Sequence, residues 1–223
     1  MVDINCISRE FAKINISIHK FNHANIVLIV IASIVASFGL LTNNLQVILG
    51  SKIIGLALIP FISLCIIIIS LDCNKIIKSG SNCIAFILIC ILVSMLVGFC
   101  SLYNQYITEP STEMISHTNF KFKNLYLELL LSFIAGIGIY YSIIKTSIVA
   151  LVGLILVVSI IPSICNSGLF YGMALHQYLL TDIDISKKIN SYINSGNQSI
   201  SVFFVNIAGV FFGFLTMFLI NCL

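Results

Sequence analysis

What most constrains the fold of this chain is the length of its unbroken apolar runs. Six of them, at about residues 25–41, 45–71, 83–103, 125–144, 147–175 and 199–220, alternate with short polar stretches. A bilayer hydrocarbon core about 30 Å thick takes about 20 apolar residues per helix, so each run is close to or above one crossing. Backbone polar groups in hydrocarbon have no water to bond, and a helix satisfies them internally. The expected fold is therefore all-α: a polytopic transmembrane helical bundle of about six crossings, forming a single transmembrane domain over residues 24–223.

Composition agrees. Charged residues make up 9% of the chain and hydrophobic residues 59%, with a mean hydropathy of +1.12, whereas a soluble domain carries about 25% charged residues. The lipid bilayer is the first expected partner, and little length is left for a soluble domain. Eleven Lys and Arg stand against eight acids, spread along the chain without a basic run, so nucleic acid is not an expected partner. The eight cysteines fall mostly inside apolar runs with no CxxC spacing, and read as small core hydrophobes.

Residues 1–23 lack the short apolar stretch and small-residue cleavage site of a signal peptide. Ile4, Ile7, Phe11, Ile14 and Ile18 recur at three- and four-residue intervals, which suits a cytoplasmic or interfacial segment lying on the membrane as a helix. A frayed polar tail is the other reading.

The runs are separated by Thr42-Asn43-Asn44, by loops at Asp72–Asn82, Asn104–Asn124 and Thr181–Gln198, and by Lys145. The second and fifth runs are longer than one crossing needs, and each contains a proline, Pro60 and Pro162. They hold equivalent places if the chain is two sets of three. Val47-Ile48-Leu49-Gly50 leads to Pro60 as Ala150-Leu151-Val152-Gly153 leads to Pro162, and Ser79-Gly80 precedes the third run as Ser195-Gly196 precedes the sixth. A 3+3 duplication with three crossings per half places the halves in opposite orientation, the inverted repeat of many secondary transporters. Interrupted helices in such folds offer freed backbone groups near mid-membrane; the plainer reading is that Pro60 and Pro162 only kink packed helices.

Lys52 and Glu128 are costly inside lipid, at about 2.5 to 3.5 kcal/mol each near the centre. At 1.5 Å per residue they lie roughly 10 Å and 5 Å below one face, close enough to snorkel outward or to pair with each other. Ser163, Asn166 and Asn206 lie at comparable depth below that face, either as interhelical hydrogen-bonding groups or as the lining of a polar cavity. The four histidines are dispersed, and no HExxH, P-loop, GxSxG or GxGxxG occurs. No catalytic residue, metal site or cofactor is expected, and the chain does not read as an enzyme.

Two ordered series of residues resemble the domain of unknown function 389 family, a group of hydrophobic prokaryotic membrane proteins. The first is Ala32-Ser33-Ile34-Val35-Ala36-Ser37-Phe38-Gly39-Leu40-Leu41 followed by Val47-Ile48-Leu49-Gly50-Ser51-Lys52. The second is Glu113, His117-Thr118, Glu128 with Ser132 and Gly136, Val152-Gly153 leading to Pro162-Ser163, and Asn206. The chain departs from the family pattern where Lys52 replaces Met, Leu56 and Ser163 each replace a proline, and His117 replaces Arg. The resemblance implies an integral protein of the prokaryotic cytoplasmic (inner) membrane and supports architecture more than activity.

The expected function is transport or conduction of a small solute or ion, around Lys52, Pro60, Glu128, Pro162, Ser163, Asn166 and Asn206. A non-transporting membrane scaffold or assembly subunit is the alternative, and self-association into a homo-oligomer is compatible with either. Positive residues near membrane ends stay cytoplasmic. With the N-terminus inside, the inner side holds Arg9, Lys13, Lys20, Lys75, Lys78 and Lys145 against Lys121, Lys123, Lys187 and Lys188 outside. Reporter fusions at Lys121 and Lys188 are expected on the non-cytoplasmic side; a cytoplasmic signal at both sites would reverse the orientation.

Overall fold

Three polar residues end one helix and start the next. Helix α1 (His23–Leu41) stops where Asn43 takes a left-handed conformation, φ 56°, which a short amide side chain tolerates better than most. The Thr42 and Asn44 N–H groups donate back to the Phe38 and Gly39 carbonyls, both at 2.9 Å. The Asn44 side-chain oxygen then accepts from the Gln46 and Val47 N–H groups at 3.1 and 3.3 Å, capping α2 (Leu45–Gly55). The hairpin is tight because Gly39 has no side chain: a Cβ there would stand 2.8 Å from Ile48.

The computed structural model describes residues 23–55, 60, 61, 63–65, 67, 73–103, 109–118, 122–144, 160–180 and 186–222. After α2 come α3 (Cys73–Tyr103), the short α4 (Thr112–Ser116), α5 (Phe122–Ile144), α6 (Ile160–Leu180) and α7 (Ser186–Cys222). Among the described residues there is no strand, so the all-α expectation holds. Four helices, α1, α3, α5 and α7, are long and apolar enough to cross a membrane. The second and fifth expected crossings are described only in part, because 56–59, 68–72 and 145–159 lie outside the described residues, as do the segment 1–22 and Val152-Gly153.

Two stretches expected as loops are helical instead. Helix α3 starts at Cys73 rather than near residue 83, and α7 at Ser186 rather than near residue 199. Asn, Ser and Lys end an apolar run without ending a helix, since on a solvated helical turn they are tolerated and neither stretch contains proline. At 1.5 Å per residue α3 is about 46 Å long and α7 about 55 Å, so both outrun a 30 Å hydrocarbon core.

Contacts fix the helix directions. Ser94 faces Gly168, Met95 faces Gly172, and the Phe99 ring meets His176 at 5.3 Å, so α3 and α6 run parallel. Ser132 bonds Asn206, Phe133 faces Gly213, and Tyr140 meets Phe214 at 5.4 Å, so α5 and α7 are also parallel. Asn166 with Ser199 and Phe170 with Tyr192 make α6 and α7 antiparallel. The second run packs on the first half of α3, where the Pro60 carbonyl accepts from Cys83 and Phe61 meets Phe86 at 5.6 Å.

Glycine makes the closest of these contacts. On α6, Gly168 and Gly172 sit four apart against α3, whose own Gly98 lies on the Leu169 backbone. On α7, Gly209 and Gly213 repeat the spacing against α5, where Gly136 lies on the Val210 carbonyl. Small residues four apart let helix backbones approach in lipid, where apolar side chains gain nothing by meeting. The arrangement puts α6 at the centre, with residues 161–170 all buried. Large apolar side chains point outward instead, as with Ile84, Leu88, Leu92 and Leu96 along one face of α3. Such a belt suits a lipid solvent and would be a liability in water.

Gly172→Ala and Gly213→Ala should each destabilise the bundle by about 1–3 kcal/mol, because the added methyl meets backbone that cannot swing away. Gly80→Ala, which opens onto free space, should instead be neutral or stabilise by about 0.5–1 kcal/mol. Unfolding titrations in micelles would read the contrast; equal effects at the three positions would refute the packing argument.

Candidate functional site

Most buried hydroxyls in the bundle are satisfied by their own helix. Ser33 donates to the Ile29 carbonyl at 2.8 Å, Ser37 to Ser33 at 2.7 Å and Ser51 to Ile48 at 2.7 Å. Such back-bonding leaves no demand on neighbours. Two asparagines behave differently. Asn166 on α6 donates through its amide to the Met114 carbonyl and to Ser199, both at 2.9 Å, while its Oδ1 has no partner. Asn206 on α7 accepts from Ser132 at 2.8 Å, while its Nδ2 has none. The Ser167 hydroxyl is also unpartnered, and all three residues are fully buried. A buried polar group left unbonded costs about 1–3 kcal/mol.

These groups lie deep. Ser132 is near the middle of the span Leu125–Ser142, and Cys165, next to Asn166, is within reach of Ser33 near the middle of α1. Cys165 also meets Cys90 and Ser94, and Cys65 and Cys83 are buried too; Cys100 is exposed.

The 109–118 segment closes one end of the bundle over Asn166. Ser111 caps α4, accepting from the Met114 N–H at 3.1 Å while donating to the Leu40 carbonyl at the end of α1. Asn43 accepts from Thr112 Oγ1 at 2.7 Å and from the Glu113 N–H at 3.0 Å. The turn that ends α1 thus also anchors α4, and Met114 is driven into the core with no exposed surface. The first turns of α7 rise beside this segment, leaving a cleft of about 610 Å³. Glu109, Lys188 and Tyr192 stand on its walls and Phe170 at its base.

Lys52 is 8% exposed; the Glu128 charge acts on it, and its own charge acts on His117. Burial pushes the His117 imidazole down from 6.5 to about 4, with the Lys52 charge adding to the effect. The imidazole is therefore neutral at physiological pH.

The sequence profile of the family described as Domain of unknown function (DUF389) matches residues 53–223. The chain belongs to that family. The second ordered series, from Glu113 to Asn206, falls within the match, whereas the Ala32–Leu41 and Val47–Lys52 series precedes it. No curated protein and no solved structure matches the chain.

In this DUF389 chain the expected site residues fall into separate groups. Asn166 joins Ser199 and Met114, Asn206 joins Ser132, and Lys52 joins Glu128 and His117. Pro162 and Ser163 are buried one turn before Asn166, and Pro60 is half-buried beside Cys83. The hydroxyl partners Ser132 and Ser199 stand out only as polar residues in or at the edge of apolar runs, and no spacing along the chain ties them to Asn206 and Asn166. The Met114 carbonyl and the Asn43 clamp leave no spacing signal either.

Because His117 is harder to protonate folded than unfolded, its contribution to stability is complete above about pH 6.5 and is lost as pH falls toward 4. The melting temperature in micelles should therefore drop further on acidification for the native chain than for His117→Gln, which carries no titrating ring. Equal drops would contradict a buried neutral imidazole.

Proposed function

We propose that this DUF389 chain moves a small solute or ion across the prokaryotic cytoplasmic membrane, with its N-terminus on the cytoplasmic side. The supporting observation is the set of unpartnered polar atoms inside the bundle: Asn166 Oδ1, Ser167 Oγ and Asn206 Nδ2, all fully buried. Polar groups that only hold helices together are expected to be satisfied, as Ser33 and Ser37 are. Groups that meet a passing solute must have bonding capacity to spare.

Helix direction supports six crossings. Among the described residues, α3 and α6 run one way and α5 and α7 the other, the senses that six alternating runs would give the third to sixth members. The inverted repeat draws support from α1 with α3 and α5 with α7, which are the first and third members of each proposed half, in contact in both cases. Asn166 and Asn206, from the second and third members of the later half, would line the path, with Lys52 and Glu128 nearer its mouth.

Purified chain in proteoliposomes should show flux for at least one member of a panel of ions and small polar solutes. Asn206→Leu, which keeps volume and removes the amide, should lower that flux at least tenfold, about 1.4 kcal/mol in barrier. Absence of flux across the whole panel would leave a membrane scaffold as the better account.

A further inference from the structure

The cleft beside α4 carries a charge pattern that selects a class of ligand. Its volume, about 610 Å³, is within the range of small-molecule sites, about 300–1,000 Å³. Glu109 contributes a carboxylate from the segment before α4, and Lys188 an ammonium from the first turn of α7. Among the described residues no ion pair joins them. Between them lies the Tyr192 ring: the Lys188 Nζ is 6.0 Å from its centroid, and the Glu109 charge acts on its phenol. Phe170, 1% exposed, forms an apolar floor, and Ser191 and Ser195 add hydroxyls.

A simple anion drawn to Lys188 is repelled by Glu109, and a simple cation meets the reverse. A molecule carrying both charges satisfies each wall and can lay its apolar part on Phe170. We propose that the cleft binds a zwitterionic solute of amino-acid to dipeptide size, its ammonium on Glu109, its carboxylate on Lys188 and its side chain against Phe170 and Ile115. The assignment rests on the transport reading only for the steps after binding. Phe170 is one helical turn from Asn166, whose Met114 partner adjoins the cleft residue Ile115, so a solute held here stands close to Asn166 and its unpartnered Oδ1.

The test is equilibrium binding to the full chain in nanodiscs, without any flux. Radiolabelled leucine and glycyl-leucine are compared with N-acetyl-leucine, which lacks the ammonium, and leucinamide, which lacks the carboxylate. At least one zwitterion should bind about tenfold or more tightly than its singly charged analogues, as expected for losing one hydrogen-bonded charge. Glu109→Gln should abolish discrimination against N-acetyl-leucine and Lys188→Gln that against leucinamide, whereas Glu109→Asp and Lys188→Arg should retain it. Both positions are exposed, so these changes should leave the fold intact. Binding without flux supports the cleft assignment while removing the transport reading. Failure of both zwitterions to bind, equal binding of the analogues, or zwitterion binding unchanged in both Gln variants overturns the cleft assignment, even where flux of another solute is found.

Discussion

Backbone contact at glycine holds the bundle together. In lipid the apolar side chains of α3 or α5 are as well solvated by acyl chains as by another helix, so association depends on fit and on polar bonds. Gly168 and Gly172 bring α6 onto α3, and Gly209 and Gly213 bring α7 onto α5. Both pairs are parallel in chain direction, and the antiparallel α6–α7 contact joins them. With α6 enclosed on several sides, the stretch from Pro162 to Ser167 is withdrawn from lipid, and only then is a row of Ser and Asn tolerable at that depth.

That enclosure would be open at one end without the 109–118 segment. Asn43 ends α1 in a left-handed conformation and accepts two bonds from the start of α4, while Ser111 donates to the last turn of α1. These bonds are near the surface and individually modest, at about 0.5–1.5 kcal/mol each. Together they seat Met114 so that its carbonyl reaches Asn166. The bonds that anchor α4 involve none of the glycine contacts between the long helices.

The architecture was legible because hydrocarbon permits so few forms. Apolar run length located α1, α3, α5 and α7, and Thr42-Asn43-Asn44 marked the tight hairpin. Helix ends were less legible, since polarity reports where lipid stops and not where a helix does; Ser186–Gln198 continues α7 well past its apolar part. At the site, Asn166 and Asn206 stood out as costly residues in apolar runs. Their partners divide by type. Ser132 and Ser199 are visible as polar positions in or at the edge of apolar runs, though not as partners, whereas the Met114 carbonyl is a backbone atom and leaves no trace in residue identity. The glycine pairs were present as four-residue spacings on α6 and α7, but the neighbour each one touches is a property of the assembled bundle.

The charged cluster has a logic of its own. The cation is on α2 at Lys52, and His117 is held neutral by burial. The Glu128 charge acts on Lys52, so the acid has a cationic neighbour. A permanent charge at 117 beside Lys52 would place two cations around a single carboxylate in a poorly hydrated site, at a cost that one ion pair could not offset. A neutral ring at 117 is therefore what makes a lysine at 52 tolerable.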